Sequence, residues 1–178
     1  MSSRIFEKRR RNMYVVGDRV VYGAFGVMEI VDVTEQTFGD VTKQYYVMRE
    51  YSSSSSSLTY VPFDNEMLLS QMKPLLTKDE IVDAIRLAKA SAPLEWVEDN
   101  RARSEKYKKM LSMSDRALLL AMIETVYQTG LKREAEGKKN YIADENSMNR
   151  AIKLISTEFA LVLGITEAEV PEYVRNTK

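Results

Sequence analysis

One short stretch of the chain combines an aromatic ring with clustered positive charge. Trp96 is the only tryptophan, and five cations stand against one acid between positions 101 and 109. Guanidinium and ammonium groups can hold phosphates, and an aromatic ring can insert at an unstacked base step. The stretch could therefore contact DNA through Trp96, Asn100, Arg101, Arg103, Lys106, Tyr107, Lys108 and Lys109.

The element expected to position these residues is a helix over residues 94–111, which follows Pro93. At 3.6 residues per turn, positions 96, 100, 103 and 107 fall on one face of such a helix. The same residues also allow a structural interpretation. A tryptophan near a helix start often packs into a core, and a basic helix face is commonly just solvated. The residues alone leave both interpretations open.

Composition excludes several other kinds of chemistry. The chain has 178 residues, of which 44% are hydrophobic, and it contains neither histidine nor cysteine. The commonest general base and the commonest zinc ligands are therefore missing. Adjacent acids at positions 64–66 and 144–145 are better explained by helix capping and the helix dipole. We expect a protein that is not an enzyme, with no catalytic residue, no metal site, no cofactor and no small-molecule substrate.

Charge and hydropathy place no segment in a membrane. Acidic and basic residues balance at 26 each, and no apolar run reaches the roughly 18 residues that a spanning helix needs. We expect a cytoplasmic protein without membrane contact. Residues 1–12 carry five basic side chains and one acid. They are interpreted as a basic flexible tail or an upstream start, or alternatively as a phosphate-contacting arm.

The first part of the chain shows strand patterns separated by turn residues. Gly17 and Asp18 favour a turn, residues 19–22 alternate as a strand, and Gly23 and Gly26 allow a sharp reversal. Further strands are expected at residues 27–33, 45–49 and 58–62. These strands predict a small, strongly bent β-barrel, with the serine run at residues 52–57 as a hairpin tip.

After Lys73 and Pro74 the pattern changes to helical periodicity. Thr77 and Glu80 have the spacing of a capping box at a helix start. Apolar residues then recur at intervals of three and four, which predicts an all-α bundle of about five helices. The expected fold is therefore α+β in two domains, with boundaries at residues 13–76 and 77–178.

The motifs of the first domain resemble the CarD/CdnL family of bacterial transcription regulators. Its β module also occurs as the RNA polymerase-interacting domain of the transcription-repair coupling factor. The matching segments are VGDRVVY at 16–22, the Gly26-Val27 turn, YYVMR at 45–49, LTYVPFDN at 58–65 and the exit at 73–75. The resemblance implies an SH3/Tudor-like barrel followed by a helical domain. It also implies that Trp96 lies against the minor groove at the upstream edge of the promoter bubble.

The resemblance further implies a protein partner. In the family, an exposed edge of the β module pairs with a lobe of the RNA polymerase β subunit by strand addition. The edge strands expected here are residues 27–34 and 57–62, with Gln36 and Tyr60 facing the partner. Tyr60 could instead pack on the barrel surface.

The function implied by the resemblance is transcription regulation. The chain would bind the polymerase β subunit and stabilise the promoter open complex through DNA contacts without sequence specificity. The alternative is a protein-interaction adaptor that binds polymerase or another partner without touching DNA.

Overall fold

The computed structural model describes residues 14–51 and 57–178. The basic segment at 1–12 and most of the predicted serine tip therefore lie outside the described residues. The chain divides into two compact units between Pro74 and Leu75.

The N-terminal unit is an antiparallel sheet of five strands. The strands are β1 (Arg19–Tyr22), β2 (Val27–Phe38), β3 (Val41–Glu50), β4 (Leu58–Pro62) and β5 (Met72–Pro74). Their order in the sheet is β4-β3-β2-β1-β5, so the described strands form an open, Tudor-like sheet. The predicted α+β fold class, with the β part first, is confirmed.

Alternating residues of these strands build the core of the sheet unit. Val20, Met28 and Ile30 are buried, as are their neighbours on the adjacent strands, Tyr46, Met48, Val61 and Met72. A register shift between Ile30 and Asp32 marks a β-bulge in β2. Bulges bend and twist a strand, which lets an open sheet enclose its own core.

Strand β2 corrects one expectation, because its N-terminal part is not an edge. It pairs with β1 at residues 27–29 and with β3 along nearly its whole length. The edges of the sheet are β4, as expected, and β5. The sequence pattern did not reveal β5 as an edge strand, because β5 pairs with β1, whose residues lie about fifty positions earlier in the chain. Beyond the bulge, β2 is bordered in the described ladder by β3 alone, so the β2–β3 hairpin projects past the other strands.

A short helix, α1 (Glu66–Leu69), belongs to the sheet unit, and five helices follow in the second unit. These are α2 (Lys78–Ala90), α3 (Asn100–Met113), α4 (Arg116–Ala135), α5 (Ile142–Leu163) and α6 (Val170–Asn176). The expected five-helix region is confirmed. The predicted capping box is present, since Thr77 and Glu80 each bond the backbone N–H of the other.

Two helix starts differ from the sequence expectation. Helix α3 begins at Asn100 rather than at residue 94, because the Asp99 carboxylate accepts the Ala102 N–H at 2.7 Å and acts as the N-cap. Trp96 therefore precedes the helix instead of lying on it. Helix α5 begins at Ile142, two residues before the expected Asp144.

The helical unit contains charged residues within its core. Glu158 of α5 is buried and accepts two hydrogen bonds from Arg116 of α4, at 2.7 and 2.8 Å. The same carboxylate accepts the backbone N–H of Leu76 at 3.0 Å. A buried guanidinium–carboxylate pair with further hydrogen bonds satisfies both charges. It joins α4, α5 and the chain just before α2.

Candidate nucleic-acid interface

Trp96 lies in an irregular segment, residues 91–99, that α3 holds in place. Arg103 Nη1 donates to the carbonyl oxygens of Val97 at 2.6 Å and Glu98 at 3.2 Å. Lys106 Nζ donates to the Glu95 carbonyl at 2.9 Å. Two of the expected DNA-contacting cations therefore bond the backbone beside Trp96, and they fix the position of its ring.

Arg103 is the centre of this arrangement and is only 1% exposed. Its Nε donates to Asp144 Oδ2 at 2.9 Å, and its Nη2 lies 2.8 Å from the same oxygen in an ion pair. Nη2 also donates to Asn100 Oδ1 at 2.8 Å. Since Asp144 is itself 3% exposed, the pair is removed from water and connects α3 to α5.

Aromatic rings cover this ion pair. The Arg103 guanidinium carbon lies 4.2 Å from the Trp96 ring centroid and 4.6 Å from that of Tyr141. Arg133 approaches the Tyr141 ring at 4.0 Å. These are cation–π distances. The half-buried Trp96 is therefore stabilised in its packed position by Arg103.

Tyr107 lies one turn further along α3 and is 2% exposed. Burial, with the nearby Asp144 carboxylate as a second cause, raises the pKa of Tyr107 to about 12. The phenol is therefore neutral at physiological pH and acts as a core side chain.

The structure separates the eight expected DNA contacts by burial, with Trp96 and Lys106 partly buried between a buried and an exposed group. Arg103 and Tyr107 are buried and cannot reach a phosphate in this conformation, which corrects the expectation for these two residues. Their burial follows from the position of their helix face, which packs on the bundle. Arg101, Lys108 and Lys109 are exposed on α3, and Asn100 is exposed at its start. Lys108 forms a surface ion pair with Glu105 at 2.8 Å.

Sequence reasoning missed the partners of Arg103. Asp144 was assigned to capping, yet it lies in the first turn of α5 with its carboxylate on Arg103. Tyr141, Arg133 and Asn140 were not singled out. One signal was present, because Arg103 shares a helix face with Tyr107 and Met110. A cation among buried apolar neighbours requires a carboxylate partner elsewhere in the chain.

The two expected polymerase contacts lie in different parts of the sheet. Tyr60 is on edge strand β4, is 45% exposed, and meets Tyr45 edge-on with ring centroids 6.3 Å apart. Gln36 is partly buried on β2, opposite Lys43 of β3, within the projecting hairpin. Each residue lies on a strand that, at that position, has a neighbouring strand on one side only in the described ladder.

The described residues form neither of two other kinds of site. No group of three or more acidic residues there is arranged to hold a metal ion. None of the described helices combines the length and hydropathy that a membrane crossing demands.

Comparison with known proteins bears on the N-terminal unit and on the chain as a whole. Residues 14–73 match the model of the CarD-like/TRCF RID domain. The chain is also similar to a Bacillus subtilis (strain 168) protein named "Putative transcription factor YdeB", with 21% identity over 164 residues. That match covers 90% of this chain and 99% of the Bacillus protein. The resemblance to the CarD family is therefore confirmed for the N-terminal unit: residues 14–73 carry a domain of the CarD-like/TRCF RID type.

Proposed function

We propose that this protein is a transcription regulator that binds the β subunit of RNA polymerase and stabilises the promoter open complex. The N-terminal unit would attach the protein to polymerase. The helical unit would then contact DNA near the upstream edge of the bubble without reading its sequence. Attachment raises the local concentration of the helical unit, so weak DNA contacts suffice.

The observation that carries the DNA part is the exposed charge of α3 beside Trp96. Arg101, Lys108 and Lys109 are exposed, and Lys106 secures the backbone next to the tryptophan. Exposed cations supply affinity that depends on salt but not on sequence. Trp96 is partly accessible, and its ring is held by the Arg103 guanidinium. A ring held in this way loses little conformational entropy when it contacts DNA.

The polymerase part rests on the border of β4 that carries no further strand in the part of the chain that the structure describes. A strand whose backbone groups are unpaired can accept a further strand from a partner, with side chains setting the register. Tyr60 lies on this strand and is 45% exposed. A Tyr60→Ala variant should weaken binding of the full chain to polymerase. The matched control is Met67→Ala, which removes another exposed side chain of the same unit from α1. Equal binding of both variants and wild type would contradict a contact through β4.

The central experiment measures the lifetime of a promoter open complex formed with polymerase from the same cell. Wild type should lengthen the lifetime, and Trp96→Ala should remove the gain while polymerase binding persists. A factor shifts this equilibrium only by its differential affinity for the two states, and about 1.4 kcal/mol corresponds to tenfold. A Trp96→Ala protein as active as wild type would show that Trp96 acts only in packing.

The charge contribution needs its own variant. Replacing Arg101, Lys108 and Lys109 by glutamine removes three exposed cations of α3. The matched control replaces Lys78, Lys132 and Lys139, which are also exposed but lie outside α3. Only the α3 triple variant should shorten the open-complex lifetime, and its deficit should diminish as salt is raised.

The adaptor alternative has one structural argument in its favour. Arg103 and Tyr107 are buried, and Lys106 and Lys108 already have partners, so the positive surface of α3 is smaller than its composition implies. An adaptor would bind polymerase without contacting DNA, so it would show no salt-dependent affinity for DNA. Identical open-complex lifetimes with wild type and the α3 triple variant at low salt would favour it.

A further inference from the structure

Trp96 lies beside a cavity as well as beside Arg103. The segment around it, residues 91–99, is neither helix nor strand, and the Trp96 ring lines a cavity of about 130 Å³ in the helical unit. A cavity gives an adjoining ring few van der Waals contacts. The ring therefore keeps one position through the side chains that do touch it. The Arg103 guanidinium, 4.2 Å from the ring centroid, is one of them.

Tyr141 is the second aromatic ring in contact with this guanidinium. Its ring centroid lies 4.6 Å from the Arg103 guanidinium carbon and 6.3 Å from the centroid of Trp96. The planes of the two rings are 31° apart. Arg103 is 1% exposed, and a cation–π contact is stronger when the cation is removed from water. The guanidinium therefore couples the position of Trp96 to that of Tyr141.

Arg133 holds Tyr141 from α4. Its guanidinium carbon lies 4.0 Å from the Tyr141 ring centroid, and its Nε and Nη2 donate to the Lys139 carbonyl oxygen at 3.0 and 2.8 Å. Tyr141 is also the N-cap of α5, and its carbonyl oxygen accepts the N–H groups of Asp144 and Glu145 at 3.0 and 3.1 Å. Both the backbone and the ring of Tyr141 are therefore fixed by neighbouring elements.

The face of the Tyr141 ring, rather than its hydroxyl group, makes these contacts. Within the described ranges 14–51 and 57–178, the hydroxyl forms no hydrogen bond. The side chain therefore contributes through its π surface. Phenylalanine preserves such a surface and leucine does not, so the two substitutions separate the ring contact from the other properties of the residue.

We propose that Tyr141 is a positioning residue for the contact between Trp96 and DNA, and that it acts through the Arg103 guanidinium. This inference rests on the proposed function, in which Trp96 meets DNA at the edge of the promoter bubble. A ring already held in one position loses less conformational entropy on binding. Tyr141 supplies part of that hold from the start of α5, and it acts without touching DNA.

The test compares Tyr141→Leu with Tyr141→Phe in the open-complex assay with polymerase. Leucine keeps an apolar side chain but lacks the π surface, whereas phenylalanine lacks only the hydroxyl. Tyr141→Leu should reduce the gain in open-complex lifetime by roughly two- to fivefold, which is the size expected from a lost cation–π contact. Tyr141→Phe should retain the wild-type gain.

A second measurement follows the Trp96 ring itself in the full chain, without DNA or polymerase. Because the chain has one tryptophan, a single indole N–H signal in ¹H–¹⁵N NMR relaxation reports how far the ring moves. Its order parameter should fall in Tyr141→Leu and stay at the wild-type value in Tyr141→Phe.

The matched control is Ile85→Val. Ile85 is fully buried in α2 of the same unit and does not line the cavity. The change removes one buried methylene group and lowers stability, but it should leave the indole order parameter unchanged.

Several results would overturn the inference. An unchanged order parameter in Tyr141→Leu would show that Tyr141 does not hold the ring. An equal fall in Ile85→Val would show that lost stability, rather than a lost contact, frees the ring. Equal losses in the leucine and phenylalanine variants would assign the effect to the hydroxyl. A freed ring with a wild-type lifetime would show that the hold on Trp96 has no part in the DNA contact.

Failure of the proposed function gives a different result. If Trp96→Ala loses the open-complex effect and Tyr141→Leu keeps it, only the inference about Tyr141 is wrong. If Trp96→Ala is as active as wild type, the proposed function is contradicted directly, together with the positioning role that depends on it.

Discussion

The two units of this protein specify their folds by different means. In the sheet unit, the described core consists of valine, isoleucine, methionine and tyrosine side chains. Every buried charged residue in the described chain lies in the helical unit, and they form two pairs: Arg103 with Asp144, and Arg116 with Glu158. A sheet already fixes the register of its strands through backbone hydrogen bonds. Helices satisfy their backbone internally, so relations between helices depend on side chains.

Each buried pair joins two helices that apolar packing alone could allow to slide. Arg103 connects α3 to α5, and Arg116 connects α4 to α5. We interpret both pairs as devices that fix helix register, a role that buried polar groups have in some proteins. The comparison therefore predicts two different sensitivities. Removing a buried charge should destabilise the helical unit more than changing the shape of a buried apolar side chain destabilises the sheet unit.

The largest effect is expected from Glu158→Ala. The change leaves Arg116 buried without its carboxylate and removes the acceptor of the Leu76 N–H. Loss of one partner of a buried pair costs about 3–5 kcal/mol. Urea unfolding followed by Trp96 fluorescence reports on the helical unit, which contains the only tryptophan. Glu136→Ala breaks an exposed pair with Lys138 and should have a much smaller effect, because water screens exposed pairs. Equal stabilities of the two variants would show that the buried pair does not stabilise the helical unit.

The next effect is expected in the sheet core at Met48, which is fully buried. Met48→Ala should destabilise the sheet unit by about 2–5 kcal/mol, because it leaves a cavity. Met48→Leu nearly conserves volume and should cost less than about 1.5 kcal/mol. Hydrogen exchange of the β2 and β3 amides measures both. A leucine variant as unstable as the alanine variant would show that the sheet core depends on exact shape.

The smallest effect concerns pH. The pKa of Tyr107 is raised to about 12 in the folded protein, from 10.0 for a free tyrosine. The folded state therefore holds this proton more tightly than the unfolded state does. Its contribution to stability is complete below pH 10 and is lost as the pH rises from 10 to 12. The free energy of unfolding of Tyr107→Phe, measured with urea, should therefore fall less than that of wild type between pH 10 and 12. Equal falls in the two proteins would contradict the raised pKa of Tyr107.

The sequence predicted local features well and long-range partners poorly. The Thr77–Glu80 capping box is local, and it is present where the spacing indicated. The start of α3 was missed because Asp99 was not recognised as the N-cap that competes with the earlier Pro93 signal. The edge position of β5 was also missed, since Met72–Pro74 is too short to read as a strand.

The candidate site shows the same limit. Trp96 and the cationic stretch could be found from residue types, but the partner of Arg103 could not. Its partner Asp144 lies 41 residues away, and no local pattern connects the two. Gly130 of α4 and Asn140 of the loop before α5 also meet beside Trp96, where both line one cavity, and no local pattern predicts that contact.

The projecting β2–β3 hairpin has a consequence for the order of folding. Its two strands are joined by a two-residue turn in which Gly39 has a φ of 62°, and glycine at the first turn position is typical of tight hairpins. The ladder can therefore grow outward from the turn, on the roughly 1–10 μs timescale of hairpins. Pairing of β1 with β5 closes a loop of about fifty residues and must follow later. In pulsed hydrogen exchange during refolding, β3 amides should gain protection before those of β5.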